Sequence, residues 1–324
     1  MRDLHHGKEI YLFFVVYGIN GIWGIILSQV IIGIIIYKVL TISNNQKISN
    51  YGELTGVINK NTKINEILKI IINIFLLLSF YVMIAGFSAY FSQELGLPNI
   101  LGTILIAVLC YIIFMGDIDR IIKVNIILIP LIILFIILLI SKNMGAYINI
   151  NGKMLQPNLF KSMYSAILYS SYNSITLIPI VISLKKYVKN KSQIIKVCII
   201  CTVILCLVAI AIYGLVLKVD ININYIELPT VYVAGMVGKI YKYLYGITIL
   251  VAILTSAISA GYSILENYKD NNKKYKNMAL LICVSSILVS KIGFSNLIGL
   301  LYPVFGFLGI IQIYFLFKRK EKIK

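Results

Sequence analysis

Charge is what this chain has least of. Asp, Glu, Lys and Arg make up 13% of its 324 residues, against 60% hydrophobic, and the mean hydropathy is +0.92. A soluble core of this length needs a far more polar skin, so a soluble globular protein is excluded and an integral membrane protein is indicated. Acid is scarcer than base, with 12 Asp and Glu against 30 Lys and Arg, a formal net charge of +18. The cations are scattered through short loops with no basic domain, which argues against nucleic-acid binding. Histidine is confined to the adjacent pair His5 and His6, which a helix would point in different directions, so no metal site is assigned. No Ser/His/Asp set can be placed at one depth and no phosphate loop is present; enzymatic activity is not expected. The five cysteines all lie in apolar runs, and Cys198-Ile-Ile-Cys201 reads as small packing residues within a hydrophobic helix rather than as a redox pair. The first ten residues, MRDLHHGKEI, are polar and do not read as a signal peptide.

What the chain does have is a succession of apolar runs of membrane length, with no soluble stretch longer than about 25 residues between them. A half-length segment, 8–17, turns through Gly18, Gly21 and Gly24 into a span at 22–40. A polar loop at 41–65 carries a small interfacial helix, and spans follow at 66–91, 100–115 and 121–140. Beyond a polar loop come 161–186, 194–217, a connection at 218–238 with a short external helix after Glu227-Leu228-Pro229, and spans at 240–265, 278–289 and 297–317. Loop charge alternates along this series. Around the loops after segments two, four, six and eight, and in the tail, stand 21 Lys and Arg; around the others after the first turn stand seven. Positive-inside topology then puts the C-terminus in the cytoplasm. The expectation is one all-α polytopic transmembrane domain over 1–324 in a cell membrane, with about nine full transmembrane helices plus one half-helix. Residues 1–141 form a first repeat, 161–317 a second, and 318–324 a basic cytoplasmic tail.

The sixth segment is not a plain span. Tyr169-Ser170-Ser171-Tyr172-Asn173-Ser174 sets six hydrogen-bonding side chains at about mid-depth, and Pro179 removes a backbone donor further on. Non-helical backbone at that depth survives only inside protein or beside a water-filled cavity. Two readings follow: a discontinuous helix lining a solute site, or an ordinary interior helix whose hydroxyls bond to neighbours. Weak internal symmetry favours the first. Each half opens on an irregular segment. The third segment of each half carries a small-residue patch: Ala85, Gly86, Ser88 and Ala89 in one, Thr255, Ser256, Ser259, Ala260 and Gly261 in the other. Such patches let helices approach closely.

Gly7-Lys8-Glu9-Ile10 with Phe13-Phe14, Tyr51-Gly52-Glu53-Leu54, Val82-Met83-Ile84-Ala85-Gly86 and Tyr169-x-Ser171-Tyr172-Asn173 together resemble the YkvI-type bacterial membrane proteins. These are a branch of the amino acid–polyamine–organocation (APC) superfamily, whose LeuT-type fold is a five-plus-five inverted repeat. The resemblance covers nearly the whole chain. It implies secondary transport of a small, amino-acid-like organic solute coupled to Na⁺ or H⁺, with no other cofactor. By position, Tyr169 to Ser174 match the unwound, substrate-contacting part of the sixth helix. Thr255 and Ser256, with Ser259 one turn on, match the hydroxyls that help hold sodium in relatives; hydroxyl oxygens suit a hard cation. Gly7 and Glu9 match the first-helix break. Relatives carry a further half-helix before that break, so the expectation is a first repeat lacking its N-terminal half-helix. A mis-called start, a damaged gene or a non-transporting product, such as a germinant-receptor-like subunit, would each account for that.

Among single residues, Glu9 reads either as a buried acid on a cation pathway or as a wet vestibule charge beside Lys8. Glu94, Asp117, Asp119 and Arg120 read as solvated loop charges at span ends. Trp23 reads as an interfacial anchor. Tyr172 and Asn173 are the side chains most expected to touch solute, in a dry pocket within the bilayer.

Overall fold

The computed structural model describes residues 8–48, 51–58, 62–116, 119–142, 157–188, 190–217, 227–268 and 271–318, and among them every regular element is a helix. In order these are α1 (Lys8–Phe13), α2 (Asn20–Asn45), α3 (Tyr51–Ile58), α4 (Thr62–Leu95), α5 (Asn99–Phe114), α6 (Asp119–Lys142), α7 (Leu159–Leu184), α8 (Lys191–Leu217), α9 (Pro229–Val237), α10 (Lys239–Leu265), α11 (Asn272–Val289) and α12 (Phe294–Lys318). Helices are what lipid permits, because each backbone N–H and C=O must find its partner within the segment. Asparagine starts three of them. The side chains of Asn158, Asn190 and Asn271 accept from the N–H of Lys161, Gln193 and Lys274 at 2.8–3.0 Å.

Seven of the described helices are long and apolar enough to cross a bilayer: α2, most of α4, α7, α8, α10, α11 and α12. Two shorter apolar stretches accompany them, Asn99–Phe114 and Pro130–Lys142. This is a multi-pass helical membrane protein. Together these nine stretches fall at the nine full spans read from the sequence, and one of them is short for a crossing. The 16 residues of α5 rise only about 24 Å against a hydrocarbon core of about 30 Å. Both short helices of the sequence reading are present, as α3 and α9, and the half-length first segment is α1 followed by a single 3₁₀ turn, Val15–Tyr17.

The chain forms two compact units. One comprises Met1–Val15, Leu76–Leu155 and Val208–Leu300; the other comprises Val16–Phe75, Gln156–Leu207 and Leu301–Lys324. Both halves of the chain contribute to each.

In the first unit, α5 and α11 run antiparallel. The Thr103 and Ser290 hydroxyls meet at 3.3 Å at one end, and the Tyr275 hydroxyl donates to the Phe114 carbonyl at 3.0 Å at the other. Helices α4 and α10 are antiparallel too: Lys242 pairs with Glu94 at 2.7 Å, and one turn away Gly246 lies against Tyr90. The small-residue patches serve this packing. Ala85, Gly86, Ser88, Ala89, Ala260 and Gly261 are all buried, Gly102 of α5 lies against Ser88, and Gly261 against the Phe114 ring.

In the second unit, α2 and α7 run parallel. The Ser162 hydroxyl donates to the Asn20 carbonyl at one end, and the Asn44 amide to the Val188 carbonyl at the other, both at 2.9 Å. These pairs are 142 and 144 residues apart in sequence, so one register holds along the whole contact. Helix α12 is also parallel to α7, Gly306 lying against Leu168 and Gly309 against Ser171. Gly33 of α2 meets Thr202 of α8. The relative directions are those that the alternating loop charge requires of segments two, six and ten.

Candidate functional site

Helix α7 corrects the first reading of its polar centre. It is continuous from Leu159 to Leu184, running through Tyr169–Ser174 and through Pro179. Local hydrogen bonding explains why no break is needed. Ser170 Oγ donates to the Ile167 carbonyl at 3.0 Å, Asn173 Nδ2 to Tyr169 at 2.8 Å, Ser174 Oγ to Ser171 at 2.6 Å and Thr176 Oγ1 to Asn173 at 3.2 Å. Each side chain is satisfied one turn back on its own helix, a habit of Ser, Thr and Asn in apolar surroundings.

One member of the stretch is different. Ser171 is 1% exposed, and its hydroxyl has no hydrogen-bond partner. It stands thirteenth among the 26 residues of α7, close to the helix midpoint. A buried hydroxyl left without a partner costs on the order of 1–3 kcal/mol, so this oxygen is available to anything that can bond to it. Around it, Tyr169 and Tyr172 are buried edge to face with ring centroids 5.5 Å apart, and Asn173 is half-buried. One N–H of the Asn173 amide is engaged with its own helix, which leaves its second N–H and its side-chain oxygen for an incoming group.

The same unit contains two polar residues that the sequence reading passed over, Ser28 and Gln29 of α2, both buried. The signal was there: they are the polar pair in the middle of the apolar run 22–40. With partners offset by 142–144 residues, they lie at the depth of Ser170 to Tyr172.

The remaining candidates belong to the other unit. Thr255 and Ser256 are buried and Ser259 is half-buried on α10. Thr255 Oγ1 donates to the Ala252 carbonyl at 3.0 Å, Ser259 Oγ to Thr255 at 2.7 Å and Ser263 Oγ to Ser259 at 2.7 Å. Their oxygen lone pairs suit a hard cation, but α10 is unbroken and its carbonyls serve its own ladder. Alone it supplies a few hydroxyl oxygens rather than a complete shell of about six. Glu9, on α1, is 1% exposed, which answers the choice between buried acid and wet vestibule in favour of burial. Gly7, Asp117 and the tail beyond Lys318 lie outside the described residues.

Glu94 corrects another expectation. Its side chain is 4% exposed, not solvated, and pairs with Lys242 at 2.7 Å. It belongs to a network that grips α9 at both ends. At the N-terminal end, Gln93 Oε1 accepts the N–H groups of Glu227 at 2.7 Å and Leu228 at 3.1 Å. At the C-terminal end, the Lys242 stem runs past Gly235 on its way to Glu94. The Glu227 carboxylate in turn accepts from the N–H of Ser295 at 3.1 Å and from its hydroxyl, at the start of α12. Trp23 is largely exposed, as an interfacial anchor would be. In the unit of α7, Gln312 of α12 donates to the Tyr51 hydroxyl of α3 at 3.1 Å. Burial pushes that phenol up from its ordinary pKa, and the Gln312 bond pulls the other way.

No family model matches the chain. It is similar to the "Uncharacterized membrane protein YkvI" of Bacillus subtilis (strain 168), 24% identical over 315 residues, covering 95% of this chain and 88% of that protein.

Proposed function

We propose that this protein is a secondary transporter that carries a small organic solute across a bacterial cell membrane by alternating access, coupled to Na⁺ or H⁺. The observation that carries the reading is the partnerless Ser171 hydroxyl, buried at the midpoint of a spanning helix where Ser170, Asn173, Ser174 and Thr176 bond back to their own helix. Polar groups at mid-membrane mark solute and ion pathways.

Two further features support the APC-type, LeuT-like arrangement. Segments two and seven (α2, α8), three and eight (α4, α10), and four and nine (α5, α11) each meet their counterpart five positions on. The last two pairs are antiparallel, as an inverted repeat requires. Each of the two units also draws segments from both halves of the chain, as interlaced repeats would. Thr255, Ser256 and Ser259 are the residues of α10 we assign to the coupling cation, with further ligands from elsewhere.

One observation favours a different reading. Because α7 is unbroken, it frees no mid-helix backbone groups for a solute, which suits a non-transporting relative such as a germinant-receptor-like subunit. Uptake separates the two. Purified protein in liposomes should accumulate radiolabelled solutes from an amino-acid panel and a neutral panel when a Na⁺ or H⁺ gradient is imposed, and Ser171→Ala should reduce accumulation at least tenfold. Binding in detergent with no uptake under either gradient would reject the transport reading and favour the receptor-like one.

A further inference from the structure

We infer that the face built by α2, α7 and α12 receives an uncharged solute bearing amide or hydroxyl groups, and that Gln29 of α2 is one of its contacts. This rests on the solute reading above and departs from the amino-acid class that the resemblance implies.

The first argument is placement. The Asn20–Ser162 and Asn44–Val188 hydrogen bonds fix the parallel register of α2 and α7 at both ends. That register sets Ser28 and Gln29 level with Ser170 to Tyr172, in a single polar layer. Helix α12 closes on the same level through Gly309, which sits against the Ser171 carbonyl and 3.0 Å, measured from an added Cβ, from the Tyr172 nitrogen.

The second argument is bonding capacity. Gln29 is 3% exposed and its amide carries two donor hydrogens and one acceptor oxygen. Its hydrogen bond to Ser28 Oγ is long, 3.4 Å, while Ser28 Oγ itself donates to the Ile25 carbonyl at 2.8 Å. A buried amide so weakly engaged is costly unless something else bonds to it. The Ser171 hydroxyl at the same level is in the same position.

The third argument is charge. Among the described residues of this unit the buried hydrogen-bonding side chains are those of Ser, Thr, Gln and Tyr, with no carboxylate, Lys or Arg among them. A carboxylate or ammonium group placed against them would lose its hydration and gain no counter-charge. Donor–acceptor groups without charge match neutral amides and polyols.

The test is thermal unfolding of the full chain in detergent with two probe sets at millimolar concentration: malonamide, erythritol and myo-inositol, and alanine, serine and lysine. A neutral probe should raise the melting temperature saturably, and Gln29→Leu should weaken its apparent affinity at least tenfold. Gln29→Glu, nearly the same size, serves if the leucine variant does not fold, with the same loss expected. A neutral-probe shift of unchanged affinity in either folded variant overturns the inference. Shifts from the amino acids alone also overturn it and leave the solute reading standing. No shift from any probe removes both.

Discussion

A methyl group placed on Gly309 should separate α12 from α7. A Cβ there would fall well inside contact distance of the Ser171 carbonyl oxygen and carbon, and 3.0 Å from the Tyr172 nitrogen. All three are backbone atoms of an unbroken helix and cannot swing aside. The helices would have to part by more than about 1 Å to restore a normal separation of about 3.5 Å, losing dispersion contacts along both. Overpacking of this kind costs about 1–3 kcal/mol, and Gly309→Ala belongs at the upper end. Two glycines of the same helix calibrate the effect. At Gly306 the nearest atom is the flexible Leu168 Cδ2 at 3.0 Å, so Gly306→Ala should cost under about 1 kcal/mol. At Gly299 nothing lies within 4 Å, so Gly299→Ala should gain about 0.5–1 kcal/mol from helix propensity alone. Thermal unfolding of the three variants in one detergent should therefore rank Gly299→Ala above wild type, Gly306→Ala near it and Gly309→Ala several degrees below. A Gly309→Ala protein as stable as Gly299→Ala would refute the close α7–α12 contact and the polar layer built on it.

Other outcomes follow from the network around α9. Lys242→Met strips the counter-charge from a carboxylate that is 4% exposed, leaving it the hydrogen bond from Gln93, and should cost on the order of 1–3 kcal/mol in thermal unfolding; pairing it with Glu94→Gln should recover much of the loss. Gln93→Leu orphans the N–H groups of Glu227 and Leu228, so hydrogen exchange at those two amides should quicken at least tenfold while α7 is unchanged. Because burial raises the Tyr51 pKa, its share of stability is intact below the ordinary tyrosine value of about 10 and is lost as pH rises beyond it. Tyr51→Phe should thus be less stable at neutral pH, through the missing Gln312 bond, yet lose less stability between pH 9 and about 11 by the same assay.

The spans were legible because lipid imposes length and apolarity together, and the loop charges ordered their directions. The helix at Pro229–Val237 was legible from its proline start. The state of α7 was not. Ser, Thr and Asn can close back on their own helix or leave it for a ligand, and the neighbours that decide between these, such as Gly309, are far away in sequence. Glu94 was misjudged for a related reason: it stands at a helix end, where charges are usually wet, and its partner Lys242 comes from a distant segment. Gln29 was overlooked because one polar pair barely disturbs a long apolar run. It gains meaning only from the register with α7.

The most direct test of the account is the sidedness of α2, α7 and α12. In a background with Cys110, Cys198, Cys201, Cys206 and Cys283 replaced by alanine, single cysteines at Gln46, Lys185 and Lys318 mark the three C-terminal ends, and one at Asn158 marks the start of α7. A membrane-impermeant maleimide applied to intact cells should label the Asn158 position and spare the other three until the membrane is opened. Labelling of the Lys185 and Lys318 positions from opposite faces, or of the Gln46 and Asn158 positions from the same face, would contradict the parallel trio and the polar layer it carries.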